Sequence, residues 1–250
     1  MEYSWKTLVA TGLISGFIFV FLGCDDNNAV GSATGARVSL STKYASSQAS
    51  PKMGSSSLPG VSAVDSIEIT RARFLLKEIE LESVLGDSLE YEAGPLVVEL
   101  DLSGSVNTIA VGDVPLGTYD EIEFEVHRID SSDLEDQGLV NSPEFQDFMQ
   151  GDRYSIIIDG TMFAPQGPTT FQFRSRVNEE QEYNLSPPLV LNTEGQVANV
   201  TLIISSANWF RAVNGSLLDP TKSSNENQIS DNLKASIDPE RDDDKDGEAD

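Results

Sequence analysis

The chain has 250 residues and a formal net charge of −25, from 41 acidic and 16 basic residues. A negative field of this size repels phosphate groups, so the composition excludes nucleic acid as a partner. One cysteine and one histidine are too few for an internal disulfide or for a zinc site built from these two residue types.

Residues 1–23 have the pattern of an export signal. Lys6 is followed by an apolar run from Thr7 to Gly23, about as long as the roughly 17–25 residues of a short membrane span. The run ends at Phe21-Leu22-Gly23-Cys24, which resembles a lipobox, the signal after which a cysteine is acylated, commonly with palmitate, and becomes the mature N-terminus. The resemblance implies that Cys24 is the lipidation site, and lipidation gives a role to a cysteine without a disulfide partner. The alternative is an uncleaved membrane anchor.

The residues after Cys24 bear on the destination of the protein. Asp25 and Asp26 resemble the acidic surface-export signal of one class of outer-membrane lipoproteins. In another class of lipoproteins, Asp25 resembles a signal for retention in the inner membrane. We favour the outer membrane, with the protein either periplasmic or exposed on the surface.

A tether is predicted between the lipid and the domain. Residues 24–60 are mostly Ser, Ala, Gly, Asn and Thr, a composition typical of a flexible linker. Residues 36–44 include an alternating stretch that we interpret as a first strand.

Residues 61–237 predict one domain of β-strands, because stretches rich in Ile, Val, Phe and Leu are separated by Gly and Pro turn signals. The predicted strands cover residues 66–82, 95–102, 106–111, 119–129, 154–158, 161–163, 170–176, 188–191 and 197–205. A shift in the apolar pattern near Arg71–Arg73 predicts a bulge or a bend. Gly160 is interpreted as a turn between two of the strands.

Two stretches predict short helices. Ser142-Pro143-Glu144 is a capping residue followed by proline at the first helical position. Ile229, Leu233 and Ile237 recur at every fourth residue and form one apolar stripe. The pattern as a whole predicts a mainly β protein, an antiparallel β-sandwich with one or two short helices, followed by an acidic disordered tail over residues 238–250.

Three tracts carry a resemblance to a known family. Ile67 to Phe74 is followed by Val-Glu-Leu-Asp-Leu at residues 98–102 and by Val-Pro-Leu-Gly-Thr-Tyr-Asp-Glu-Ile at residues 114–122. Together they resemble an uncharacterised family of bacterial lipoproteins with a transthyretin-like or carboxypeptidase-regulatory-like β-sandwich domain, over residues 36–237. An opening Thr-Asp-Ala-Pro tract, frequent in that family, is absent here. The resemblance implies the fold and no catalytic residues.

The predicted domain contains many carboxylates, of which no pair stands out as catalytic, and few residues of other catalytic types. His127 lies on the polar face of an alternating strand, where we expect a solvated surface residue, and no Gly-x-Ser-x-Gly motif accompanies it. One histidine and four methionines are also few ligands for copper. Glu121, Glu123 and Glu125 form a stripe that we interpret as a solvated sheet face or as a patch for a cation or a partner.

The acidic tail contains a calcium-loop pattern. Asp242, Asp244, Asp246 and Asp250, with Gly247 between them, match the first nine positions of an EF-hand loop, but the bidentate glutamate of the twelfth position is absent. The tail is therefore either a weak calcium site or a solvated acidic end.

Two functions remain open on the sequence alone. We favour a non-enzymatic lipoprotein of the cell envelope that is held by its lipid and binds or scaffolds an envelope protein or a glycan. The alternative is a carboxylate-dependent hydrolase that acts on glycans.

Overall fold

The computed structural model describes residues 35–46, 64–83 and 91–241. The predicted signal at residues 1–23, Cys24, most of the predicted tether and residues 242–250 lie outside the described residues.

The described residues form the two sheets of a β-sandwich, in agreement with the predicted mainly β fold. One sheet has four strands in the order β11-β10-β1-β5. The other has seven, along the path β8-β7-β2-β6-β9 with β3 and β4 on β2. The strands are β1 (Ala36–Ala45), β2 (Ser66–Ser83), β3 (Tyr91–Ala93), β4 (Leu96–Glu99), β5 (Val106–Val114), β6 (Gly117–Val126), β7 (Ile156–Ala164), β8 (Gly167–Ser175), β9 (Glu179–Leu191), β10 (Val197–Ser205) and β11 (Ile237–Arg241).

The long strand β2 organises the larger sheet. Phe74 pairs with both β4 and β7, and Leu76 pairs with both β4 and β6. Strands β6 and β7 therefore lie on the same side of β2, one after the other, and both run antiparallel to it. A register shift between Ile69 and Arg71 lies beside the bend that the sequence predicts. In the smaller sheet, β1 and β10 are parallel, the exception among the described pairs.

The helical elements lie between strands. Helix α1 (Ser131–Asp136) and helix α2 (Pro143–Gln146) belong to residues 127–155, a connection between β6 and β7 that we call the helical insertion. Helix α3 (Glu226–Lys234) precedes β11, and two short 3-10 turns cover Ser206–Asn208 and Ser223–Asn225. None of the helices among the described residues has the length and apolar character needed to cross a membrane.

Most predicted strands are present, and four differences have physical reasons. The strands predicted at 154–158 and 161–163 are one strand, β7, which runs through Gly160. Strand β9 extends over 13 residues, because its glutamate-rich first half pairs with β6. Helix α1, which the sequence analysis missed, starts at a capping box in which Asp130 and Asp133 bond each other's backbone N–H. Ile237 starts β11 instead of continuing the predicted helical stripe, so residues 238–241 of the predicted tail are in a strand.

Two hydrophobic clusters stabilise the domain. The larger one lies between the sheets around the fully buried Trp209, whose ring packs 5.9 Å from Phe74 and 6.2 Å from Tyr44 between centroids. The smaller one lies outside the seven-stranded sheet, where the helical insertion covers Leu75 and Ile157 with Phe145 and Phe148. Burial of each large apolar side chain contributes about 1.5–3 kcal/mol. The insertion thus covers one part of the outer face of this sheet, and the glutamates described below lie on another.

The turn from Pro115 to Tyr119 is fixed by a side chain. Tyr119 is fully buried, and its hydroxyl donates to the carbonyl oxygen of Pro115 at 2.8 Å. Gly117 is not among the described glycines that have a positive φ. Gly117 instead begins β6, so the tyrosine bond, not glycine strain, ties this turn to the strand.

Candidate functional site

The outer face of the seven-stranded sheet presents a continuous group of carboxylates. Along β2 and β6, apolar side chains such as Ile79, Leu81 and Phe124 point to the core, and every second residue points outward. Strands β3 and β9 add further outward glutamates at the same level of the sheet. We call the following nine residues the glutamate face: Glu78, Glu80, Glu82, Glu92, Glu121, Glu123, Glu125, Glu180 and Glu182.

The strand register places these carboxylates directly opposite one another. Glu80 of β2 pairs with Glu92 of β3 on one side and with Glu123 of β6 on the other. Glu123 in turn pairs with Glu182 of β9. Like charges at directly opposed positions destabilise a sheet. This row of four glutamates therefore lowers the stability of the ligand-free domain.

The carboxylate oxygens approach closely enough to share a cation. Three overlapping groups each bring three carboxylates within 4.8 Å of one another: Glu78-Glu80-Glu92, Glu80-Glu82-Glu123 and Glu123-Glu180-Glu182. Carboxylate oxygens are the preferred ligands of hard cations such as Ca²⁺, which takes 6–8 oxygens. Glu80 and Glu123 each belong to two groups and connect the three.

Burial and mutual repulsion shift the protonation of this face. The pKa of Glu123 rises from 4.5 to about 7, first because burial disfavours the charged form and then because Glu180, Glu182 and Glu82 repel it. Burial also raises the pKa of Glu78 and of Glu92, with repulsion between the pair adding to the effect in Glu92. At neutral pH Glu123 therefore holds its proton part of the time, and a bound cation would displace that proton.

Lys77 and His127 border the glutamate face next to the helical insertion. Lys77 Nζ lies 3.2 Å from Glu125 Oε2, and His127 Nε2 lies 3.7 Å from Glu125 Oε1. His127 Nδ1 lies 2.7 Å from the carbonyl oxygen of Arg128, so Nδ1 carries the hydrogen and donates it. The His127 side chain is 32% exposed, which makes it a half-buried neighbour of Glu125 instead of the solvated residue that the sequence predicted.

Comparisons with protein-family models, curated proteins and solved structures gave no match for this chain. The chemistry of the site is therefore inferred from its own geometry.

The predicted site residues divide into two groups. Cys24, Asp242, Asp244, Asp246 and Asp250 lie outside the described residues. The predicted stripe of Glu121, Glu123 and Glu125 lies within the glutamate face. The six other glutamates of the face were missed, because only strand pairing shows that β2, β3, β6 and β9 bring them together.

A small cavity between the sheets has a mainly apolar lining, unlike the glutamate face. It has a volume of about 30 Å³ and is lined mainly by apolar side chains, among them Val38, Leu40 and Ile122. Tyr91 lies at this cavity and fills the space that a side chain on Gly112 would need, since a Cβ there would be 1.8 Å from the tyrosine hydroxyl oxygen. A space of this size holds one or two waters at most.

Proposed function

We propose that this chain is a non-enzymatic lipoprotein of the cell envelope, lipidated at Cys24, and that its β-sandwich is a binding module. The observation that carries the binding function is the glutamate face. Cationic groups, and divalent cations such as Ca²⁺ in particular, are the ligands that its chemistry favours. The lipobox-like sequence supports lipidation and a location in the cell envelope. Asp25 and Asp26, interpreted as a surface-export signal, favour the outer membrane.

The repulsion within the glutamate face has an energetic consequence that favours cation binding. Opposed carboxylates lower the free energy of unfolding, and the partial burial of Glu80 and Glu123 weakens the screening of their charges by water. A cation bound between them reverses the sign of these interactions and stabilises the folded state by mass action. The glutamate face is therefore suited to binding a cation, or to binding a basic segment of an envelope protein.

A calorimetric titration with CaCl₂ tests the binding function. For the mature chain we expect affinity on the order of 10⁻⁴–10⁻³ M, in the range of extracellular calcium modules. Glu80→Gln/Glu123→Gln should remove most of the heat, because these two residues connect the three carboxylate groups. Glu135→Gln, at an exposed position of α1, is the matched control and should titrate like the parent chain.

The acidic tail needs its own arm in this experiment. A chain with Asp242→Asn, Asp244→Asn and Asp246→Asn tests the calcium loop predicted from the sequence, separately from the sheet. If the tail variant loses the heat and the Glu80→Gln/Glu123→Gln variant keeps it, calcium binds at the tail and the glutamate face is not its site. If neither variant changes the heat, neither site binds calcium.

Substitution of Cys24 tests whether the protein is lipidated and anchored in the membrane through this residue. Cys24→Ser should abolish incorporation of labelled palmitate, because the acylated thiol is gone. It should also release the protein from the membrane fraction or leave it as an uncleaved precursor. Cell fractionation and metabolic labelling measure both effects. An acylated, membrane-bound Cys24→Ser protein would rule out lipidation at this residue.

A glycan hydrolase is the second candidate, and Glu123 is the residue that favours it. A carboxyl group with a pKa near 7 beside several other carboxyl groups resembles the acid of a two-carboxylate glycosidase. Release of reducing sugars from a panel of envelope and environmental glycans, abolished by Glu123→Gln, would support this function. Equal release by the parent and by Glu123→Gln would remove Glu123 as its acid.

A further inference from the structure

Residues 210–218 form a short hairpin that follows β10 and the 3-10 turn at Ser206–Asn208. Arg211 and Leu217 form its bridge, and Ala212 N–H donates to the carbonyl oxygen of Ser216 at 2.9 Å. The tip consists of Val213, which is fully exposed, followed by Asn214 and Gly215. This is the one place in the chain where glycine follows asparagine.

The side chain of Asn214 is held by the residue two positions later. Its Oδ1 accepts hydrogen bonds from the backbone N–H of Ser216 at 3.0 Å and from the Ser216 hydroxyl at 2.8 Å. Gly215 has a φ of +81°, and no heavy atom outside residues 214–216 lies within 4 Å of the position a Cβ would take. The Asn214 amide is thus polarised by two donors, while its neighbour carries no side chain to shield it.

We propose that Asn214 is a site of spontaneous deamidation. The backbone nitrogen of Gly215, after losing its proton to water or hydroxide, attacks Cγ of Asn214. The new N–Cγ bond closes a five-membered succinimide as the Cγ–N bond of the side-chain amide breaks, and the amide nitrogen takes up a proton from water and leaves as ammonia. Water then opens the ring at either carbonyl and gives aspartate or isoaspartate. No electrons are gained or lost.

The two donors from Ser216 assist this step at a defined atom. Negative charge develops on Oδ1 as the nitrogen attacks, and hydrogen-bond donors aimed at an oxygen that gains charge lower the barrier. Gly215 N–H donates to the carbonyl oxygen of Ala212 at 2.8 Å, and this bond must open first. Its position at an exposed tip allows that opening, because local openings are least costly where few contacts hold the chain.

The two products differ in what they do to the hairpin. Aspartate keeps the backbone and still accepts from Ser216. Isoaspartate places an additional methylene in the main chain before Gly215, whose carbonyl oxygen accepts from Arg211 Nη1 at 3.1 Å. The isoaspartate form should therefore lose this bond and leave the hairpin less well fixed.

Ageing of the folded mature chain in mildly alkaline buffer, followed by peptide mapping with detection of isoaspartate, tests the proposal. Asn214 should be modified before Asn141, an exposed asparagine followed by serine that serves as the internal control. Ser216→Ala should slow the reaction about fivefold, the rate change expected for loss of one hydrogen bond. In denaturant, Ser216→Ala and the parent should react at the same rate.

Asn214→Gln should leave the peptide unmodified, since the ring would have to contain six atoms. Modification of Asn141 ahead of Asn214 in the folded chain would overturn the proposal. An unchanged rate in folded Ser216→Ala would overturn the assistance by Ser216.

Discussion

Replacing Gly160 with valine should lower the free energy of unfolding by about 3 kcal/mol or more, at the upper end of overpacking costs. A Cβ at residue 160 would lie 2.5 Å from the carbonyl oxygen of Glu68 and 2.7 Å from the ring of Phe171. The first contact is with backbone that is held by the pairing of β2 with β7. Neither neighbour can move without breaking strand pairing or the packing of Phe171 against Phe210 at 5.6 Å.

Urea unfolding followed by tryptophan fluorescence measures this effect, since Trp209 is buried in the core. Thr161→Val, one position further along the same strand, replaces a half-buried side chain with one of nearly the same shape and is the matched control. We expect it to change stability by less than about 1 kcal/mol. If Gly160→Val unfolds at the same urea concentration as the parent, the inference that β2 leaves no room for a side chain at residue 160 is wrong.

Gly160 also illustrates what the sequence predicts and what it does not. Local signals identified most strands, because apolar alternation depends only on neighbouring residues. The glycine was interpreted as a turn, whereas it permits a close approach inside one strand. Glycine inside a strand can have either meaning, and only the position of Glu68 and Phe171 in space decides between them. The parallel pairing of β1 with β10, across more than 150 residues of sequence, was equally outside local signals.

Only part of the candidate site could likewise be predicted from local sequence patterns. The stripe of Glu121, Glu123 and Glu125 is visible in the sequence, since one strand contains it. The glutamates of β9 were not assigned to a strand, because Glu179 to Glu182 is polar throughout and lacks the apolar alternation that predicts one. Their pairing with β6 supplies the missing contacts. The density of charge at this face is therefore a property of the topology.

The stability of the domain should fall as the pH rises from about 5 to about 8, the window set by the raised pKa of Glu123. The pKa of Glu123 is about 7 in the folded state against an ordinary value of 4.5. A raised folded pKa contributes stability that is fully present below pH 4.5 and is lost as the pH rises through 7. Glu78, Glu92 and Glu121 have raised pKa values and act in the same direction.

Groups with lowered pKa values act in another window. Hydrogen bonds from Arg71 lower the pKa of Glu99, and those from Ser132 lower the pKa of Asp130. Their contributions are present above their ordinary values and are lost only as the pH falls below about 4. They therefore leave the slope between pH 5 and pH 8, roughly, to the glutamate face.

Urea unfolding at a series of pH values, with a chelator present to keep cations off the face, measures this slope. The full shift of Glu123 would correspond to roughly 3 kcal/mol, but partial exposure and screening reduce the expected loss to about 1 kcal/mol. Glu123→Gln should flatten the profile and raise stability at the alkaline end, because the amide cannot ionise. Glu68→Gln, an exposed residue of β2 outside the glutamate face, should keep the parent profile. If the stability of Glu123→Gln falls with pH as steeply as that of the parent, the ionisation of Glu123 between β6 and β9 is not the cause of the pH dependence.

Calcium added in excess of the chelator at the alkaline end should restore the lost stability of the parent, because a cation at this face offsets the repulsion that ionised Glu123 creates. The same addition should leave the stability of Glu123→Gln nearly unchanged.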